Sequence, residues 1–232
     1  QFDPLPPQYI EKHEKPAREN LETVQASAKK EGIDCGYAVF DGEDTYKVVV
    51  SEAEKAKSSM IVMGRRGRTG LSRLVMGSTT ARVIGHATCN VLVVPRAAEI
   101  AFKNIVVATD GSRWSAAAAA EAIGLAKRNG AALTIVSVVP SEFLAPTDMD
   151  LGMVQQEMIA EKEMGEAEKH AKAVKEAAQK EGVNVSAFVM SGKPADAIVE
   201  TAKDRKADLI VLGSHGRTGL DKLLMGSVAE RV

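Results

Sequence analysis

Two segments of the sequence repeat each other, and they constrain the fold more than any other feature. Residues 61–83 read IVMGRRGRTGLSRLVMGSTTARV, and residues 210–232 read IVLGSHGRTGLDKLLMGSVAERV. The segments are identical at 14 of 23 positions, without a gap, at an offset of 149 residues. Each has two glycines spaced G-x-x-G, then nine residues, then Gly-Ser. A repeat at a fixed offset predicts two copies of one domain.

Apolar runs and charged, helix-forming stretches alternate along the chain. The runs at residues 59–64, 90–95, 102–109 and 132–139 are predominantly apolar, as in parallel strands that are buried on both faces. The stretches between them have helical periodicity, including residues 16–30, 45–57, 114–129, 153–180 and 194–205. This alternation predicts an α/β fold with two tandem, doubly wound, parallel-sheet domains, which are Rossmann-like. We expect residues 1–98 to form the first domain and residues 99–232 the second.

The two copies are not equally represented in the sequence. The strand at Phe102 has no counterpart in the first copy, because the offset places that counterpart before residue 1. The first copy continues for 13 residues after Val83, and the second copy ends at Val232. We therefore expect the first domain to lack its first strand, helix and second strand, and the second domain to lack its last strand. The expected natural chain is longer at both ends.

The amino-acid composition excludes some classes of binding partner. The formal net charge is −1, so no strong field attracts nucleic acid or an anionic membrane surface. No apolar run approaches the roughly 20 residues of a membrane-spanning helix. The two cysteines, Cys35 and Cys89, follow no metal-ligand spacing and are expected to be reduced. These features predict a cytoplasmic protein without nucleic-acid or membrane partners.

The repeated glycines follow a predicted strand, where the chain must turn sharply. Glycine there lets a ligand approach backbone N–H groups, and the Gly-Ser pair opens a predicted helix whose N-terminus favours an anion. A phosphate site is one reading of this pattern; turns followed by a serine N-cap are the other. The pattern is neither a P-loop nor the G-x-G-x-x-G dinucleotide motif.

The motif G-x-x-G-(x)9-G-S, together with the strand IVVATDGS that ends in Asp110, resembles the universal stress protein family. The resemblance covers essentially the whole chain as a tandem, two-domain form of the ATP-binding branch. It implies a five-stranded parallel fold, binding of ATP or AMP, and pairing of domains within the chain or as a homodimer.

The same resemblance implies which residues bind the nucleotide. In the second copy they lie on the first two strands and in the glycine segment: Ala108, Asp110, Val138, Leu212, Gly213, Gly216, Gly226, Ser227 and Val228. In the first copy only the phosphate half has matching residues: Met63, Gly64, Gly67, Gly77, Ser78 and Thr79. The first copy is therefore either a second nucleotide site or a structural partner.

Charged residues near the motif leave further alternatives open. Arg68 and Arg217 could pair with phosphate or lie in solvent, and His215 could contact phosphate or be an exposed loop residue. Asp110 could help to hold Mg²⁺ that accompanies ATP. No nucleophile with an adjacent general base is recognisable, so we predict neither catalytic nor metal-ligating residues.

Three classes of function fit these features. The first is a regulatory or stress-response protein that binds an adenine nucleotide. The second is a weak ATP-hydrolysing enzyme of a related nucleotide-handling fold. The third is a dimerisation scaffold that binds no ligand. The retained glycine segments favour the first class.

Overall fold

From residue 104 onward, strands and helices alternate along the chain as the sequence predicts. The computed structural model describes residues 7–40, 44–65, 76–98, 100–143, 153–217 and 225–232. Contacts divide the chain into two units, residues 1–48 and residues 49–232. The predicted boundary between residues 98 and 99, which follows the sequence repeat, stays a prediction.

The first unit contains a long helix with an extended segment folded back on it. Helix α1 spans Pro7–Lys30 and therefore begins before Pro16, where we predicted its first turn. Inside the helix, Pro16 lacks an N–H for the backbone hydrogen-bond ladder and its ring crowds the carbonyl four residues earlier, a cost that the rest of the helix offsets. After Gly32 the chain returns along α1, where the Gln25 side chain donates to the carbonyl of Cys35 (2.6 Å) and the Tyr37 hydroxyl donates to Glu22 (3.1 Å).

Two parallel sheets follow. The first pairs β1 (Met60–Gly64) with β2 (Asn90–Val94). The second has four strands in the order β5-β4-β3-β6, and all three neighbouring pairs are parallel. Its strands are β3 (Asn104–Ala108), β4 (Ala132–Pro140), β5 (Val185–Gly192) and β6 (Leu209–Val211).

The helices lie between the strands in sequence. They are α2 (Thr45–Lys55), α3 (Ser78–His86), α4 (Arg113–Asn129), α5 (Met153–Lys180), α6 (Pro194–Asp204) and α7 (Ser227–Arg231), with a 3₁₀ turn at Ser141–Phe143. The bounds of α2 and α6 differ by the repeat offset of 149 at both ends. The sequence repeat therefore extends to local structure outside the glycine segments.

The second sheet is covered on both faces. On one face, Ile105 and Val107 of β3 pack in a cluster with the alanine-rich α4 and with α5. On the other, Val106 of β3 packs with Val136 and with Ile198 of α6. Adjacent residues of a strand point to opposite faces, so β3 must be apolar throughout. The prediction of a doubly wound parallel sheet is confirmed.

Helix α5 packs against the sheet through small side chains. Ala167, Ala171 and Ala178 are buried, while Met158 on the same helix is 64% exposed. Helix α5 therefore covers the sheet with one face and exposes the other to solvent. None of the helices in the described parts of the chain has the length and apolar character needed to cross a bilayer.

Candidate functional site

The order of the strands indicates where a ligand can bind. The chain moves from β3 outward to β4 and β5, then returns to place β6 on the other side of β3. Val107 of β3 pairs with Val211 of β6, so the loops that follow these strands leave the sheet side by side. In open α/β sheets, ligands bind in the crevice outside the carboxyl ends of the strands at such a reversal.

The loop after β3 is organised by Asp110. The backbone N–H of Ser112 donates to Asp110 Oδ1 (3.0 Å), and the Ser112 hydroxyl accepts a hydrogen bond from the backbone N–H of Ser115 (3.1 Å). Ser112 is thus the N-cap of α4. This cap satisfies one of the N–H groups that a helix start leaves without a partner. The loop therefore holds the Asp110 carboxylate in a defined position at the crevice.

The loop after β6 is attached to the same carboxylate. The backbone N–H of Arg217 donates to Asp110 Oδ2 at 2.9 Å. A Cβ added to Gly216 would lie 2.9 Å from Asp110 Oδ2, and one added to Gly213 would lie 2.8 Å from the backbone carbon of Trp114. Backbone packing therefore requires glycine at position 213, while a side chain at position 216 would displace the Asp110 carboxylate. The Asp110 carboxylate joins the two loops that border the crevice.

The pKa of Asp110 is lowered from its ordinary value of 3.8. Partial burial acts in the opposite direction, since it disfavours the charged form and raises the pKa. Hydrogen bonds from Ser112, Ser115 and the Arg217 backbone outweigh burial because they favour the carboxylate. Asp110 is therefore ionised at neutral pH and accepts hydrogen bonds from both loops.

The start of α7 lies against the glycine loop. The backbone N–H of Gly226 donates to the carbonyl of Ser214 (2.8 Å), and a Cβ on Gly226 would lie 3.1 Å from that oxygen. Gly226 is the N-cap, and no side chain caps the helix. Ser227 is the first helical residue, so it does not serve as the cap that its sequence suggested. No side-chain cap therefore competes with a ligand for the first N–H groups of α7.

Three predicted contact residues share one apolar cluster. Ala108 at the end of β3, Val138 on β4 and Val228 on α7 all pack against the cluster that contains Val106 and Val136. Each is partly exposed. Leu212 follows β6 directly and is also half-buried. The second copy thus assembles its predicted residues around the carboxyl ends of β3, β4 and β6.

The first copy forms the phosphate half with the same local geometry. The backbone N–H of Gly77 donates to the carbonyl of Arg65 (3.0 Å), at positions equivalent to Gly226 and Ser214. The N-cap dihedral angles agree closely, φ −65° and ψ 139° at Gly77 against −70° and 144° at Gly226. Met63 and Gly64 end β1, and Ser78 and Thr79 begin α3. Gly67 and Arg68 lie outside the described residues.

Sequence reasoning missed several residues of the site. Trp114, at the first turn of α4, contacts Gly213, and the centroid of its ring lies 5.3 Å from that of His215. The Arg217 guanidinium donates to Glu163 of α5 at 2.8 Å. His170, also on α5, packs against Gly111. Ser112 and Ser115 had a detectable signal, because Asp-Gly-Ser before a helix is typical of a capped start.

The other features of the structure lie away from this crevice. A cavity of about 350 Å³ opens at the amino ends of β3 and β4, the opposite edge of the sheet, beside Asn104, Leu133 and Arg205. Among the described residues, no group of three or more His, Cys, Asp or Glu side chains could hold a metal ion. The crevice at Asp110 therefore remains the candidate site.

This fold and site define a class: doubly wound, parallel α/β proteins with a ligand crevice at the reversal of strand order. The chain matches the family model described as the universal stress protein family over residues 2–95 and 101–232. The chain belongs to the universal stress protein family.

Individual relatives agree with this assignment. The chain is 42% identical over 140 residues to a universal stress protein of Methanocaldococcus jannaschii, over 59% of this chain and 79% of that protein. It is 32% identical over 184 residues to one of Mycobacterium bovis, over 76% of this chain. The chain spans only 58% of the length of that relative. The crystal structure of a universal stress protein from Archaeoglobus fulgidus has a TM-score of 0.71 at 22% identity, over 100% of this chain and 76% of that one. This structural likeness concerns the fold alone.

Proposed function

We propose that the second copy binds an adenine nucleotide, ATP or AMP, in the crevice between the loops after β3 and β6, and that the protein acts as a regulatory stress protein. The observation that carries this proposal is the junction at Asp110. One ionised carboxylate accepts hydrogen bonds from the Ser112 and Arg217 backbones at the reversal of strand order. A crevice whose two walls are fixed in this way is preorganised for a ligand.

The residues around the crevice suit the parts of a nucleotide. The apolar side chains of Ala108 and Val138 offer a surface to a base. The first N–H groups of α7, which no side chain caps, offer donors to a phosphate. Arg217, on the loop that borders the crevice, would add positive charge near a phosphate when its guanidinium is released from Glu163.

Any Mg²⁺ would accompany ATP and be coordinated largely by its phosphates. The ion typically keeps several waters and needs only one or two protein carboxylates. Asp110 is the carboxylate at the crevice, and it already accepts backbone hydrogen bonds through both oxygens. We therefore assign Asp110 to the binding of the nucleotide and the loops, and propose no metal-ligating residue.

The first copy supports a different role. Its helix α3 is held to the end of its own strand, because the Thr80 hydroxyl donates to the carbonyl of Gly64. We propose that, within these 232 residues, the first copy is a partner of the second and one nucleotide binds, in the second copy. The Asn90 side chain donates to Glu121 of α4 at 3.1 Å, which links the two copies of the repeat.

Isothermal titration calorimetry of the 232-residue chain with ATP and AMP tests this function. We expect one site per chain, and adenine absorbance in the supernatant when freshly purified protein is denatured. Gly226→Val should weaken binding at least about 100-fold, because the side chain would force the α7 start away from Ser214. Circular dichroism checks that the variant is folded.

Gly77→Val is the matched control, since Gly77 occupies the equivalent junction of the first copy. It should leave affinity and stoichiometry unchanged. Two sites per chain, one lost with each substitution, would contradict the assignment of the first copy. Absence of adenine and of binding would overturn the proposed function, and rapid ATP turnover that depends on Asp110 would replace it with an enzyme.

A further inference from the structure

We propose that Glu163 of α5 controls how strongly the crevice discriminates between nucleotides by the number of their phosphates, because it holds the side chain of Arg217. The inference rests on the proposed nucleotide site and adds a specificity-determining residue to it. Glu163 would act through Arg217 and is therefore a positioning residue.

The first support is the contact itself. The Arg217 guanidinium donates to Glu163 Oε2 at 2.8 Å, with the Glu163 side chain 18% exposed and that of Arg217 43% exposed. A carboxylate that is largely removed from water interacts more strongly with a cation than one on an open surface. The side chain of Arg217 is thus directed towards α5 by a shielded partner.

The second support is the position of Arg217. Its backbone N–H donates to Asp110 Oδ2 at 2.9 Å, so the residue is anchored at the crevice by its main chain and to α5 by its side chain. The guanidinium therefore belongs to a loop that the proposed phosphates must approach. A phosphate at the α7 start and Glu163 would compete for the same cation.

The third support is that α5 contacts both walls of the crevice. His170 lies seven residues after Glu163, which places both side chains on one face of the helix. The His170 ring packs against Gly111 in the loop after β3, while Glu163 binds the loop after β6. His170 Nε2 is also 3.5 Å from Glu166 on the same face. Helix α5 is therefore coupled to the loops and does not merely cover the sheet.

The physical consequence depends on ligand charge. Glu163 neutralises Arg217 and places a second negative charge close to where phosphates would lie. A ligand with more phosphate charge is disfavoured more by this carboxylate and gains more from a released guanidinium. Adenosine carries no phosphate, so its affinity should not depend on Glu163.

The test measures affinities of adenosine, AMP, ADP and ATP for the wild type and Glu163→Gln by calorimetry. Glutamine keeps the length of the side chain and removes its charge. We expect ATP to bind about tenfold more tightly to Glu163→Gln, ADP about fivefold and AMP about twofold, with adenosine unchanged. The graded gain should shrink at high salt, because mobile ions screen it.

Two further variants isolate the mechanism. Glu161→Gln changes the same charge at an exposed position of the same helix and should leave all four affinities unchanged. In an Arg217→Gln background, Glu163→Gln should produce little further gain, since the two substitutions remove one interaction. Thermal unfolding of each variant verifies that the fold is retained.

The possible outcomes separate the two proposals. Nucleotide binding with equal changes for all four ligands, or with no change, overturns the role of Glu163 and leaves the nucleotide site standing. The same holds if Glu161→Gln has the same effect. If neither the wild type nor Glu163→Gln binds any nucleotide, both proposals are overturned together.

Discussion

The two copies of the glycine segment have the same local backbone but are attached to their domains in different ways. In the first copy, the Thr80 hydroxyl of α3 donates to the carbonyl of Gly64 (3.1 Å), which ties the helix back to the end of its own strand. The equivalent position in the second copy is Ala229, which has no hydroxyl. There the loop is held by Asp110, from the neighbouring strand.

This difference distinguishes the contacts that the glycine segment makes within itself from those that depend on neighbouring strands. The bond from the glycine N–H to the carbonyl twelve residues earlier is present in both copies, at 3.0 Å and 2.8 Å. It therefore does not depend on β3. The contacts with Asp110 require β3 beside β6. The phosphate half of the site is local, and its connection to the rest of the crevice depends on sheet topology.

Among these predictions, the substitution Asp110→Ala should have the largest effect, and it acts on the second copy alone. It leaves the backbone N–H groups of Ser112 and Arg217 without their acceptor, and each such loss costs about 1 to 3 kcal/mol when the group is buried. We expect the free energy of unfolding, measured in urea, to be about 2 kcal/mol lower than that of the wild type. Nucleotide binding should also be lost.

Asp110→Asn is the control, because one amide oxygen can still accept a hydrogen bond. It should be destabilised less than Asp110→Ala. Equal stability of the wild type and Asp110→Ala would mean that the two loops are held by packing alone, and the contrast between the copies would then disappear.

The matching change in the first copy is Thr80→Val, which removes the hydroxyl and keeps the shape of a side chain that is 3% exposed. The carbonyl of Gly64 loses its donor, so we expect a loss of about 1 kcal/mol in urea unfolding. Nucleotide affinity should remain that of the wild type. A fall in affinity would show that the first copy contributes to binding, contrary to our proposal.

The effect of acidification on Asp110 should be the smallest of these effects. The pKa of Asp110 is lowered in the folded state, so its stabilising contribution is complete above its ordinary value of 3.8. The contribution is lost as the pH falls through the lower pKa of the folded protein. The difference in unfolding free energy between the wild type and Asp110→Asn should therefore become smaller as the pH falls below about 3.8. If this difference in unfolding free energy does not depend on pH, Asp110 is not ionised in the folded protein.

Much of the fold could be predicted from local sequence, because each element has its own pattern. The predicted helix 153–180 has the observed bounds, and Gly130 ends α4 in the left-handed conformation with φ 61°. The start of α1 was wrong because Pro16 was interpreted as a beginning, although a single proline can also lie inside a helix. The Asp41-Gly42 pair, which is typical of a turn, lies outside the described residues.

The site was only partly predictable. The motif led to the junction between β6 and α7, where one of the two alternatives, a serine cap, is wrong because Gly226 is the N-cap. Glu163 and Arg217 are 54 residues apart in sequence, and no local pattern pairs them. Trp114 follows a common Asp-Gly-Ser turn, and only the packing of α4 against the glycine loop gives it a role. Contacts of this kind depend on topology, which short motifs do not encode.

The equal lengths of α2 and α6, with bounds that differ by the offset of 149 at both ends, make exchange of material between the copies straightforward. No insertion or deletion separates residues 45–83 from 194–232, so a block cut from one copy enters the other in frame and in register. The contact that Thr80 makes in the first copy can therefore be introduced into the second copy by the single substitution Ala229→Thr.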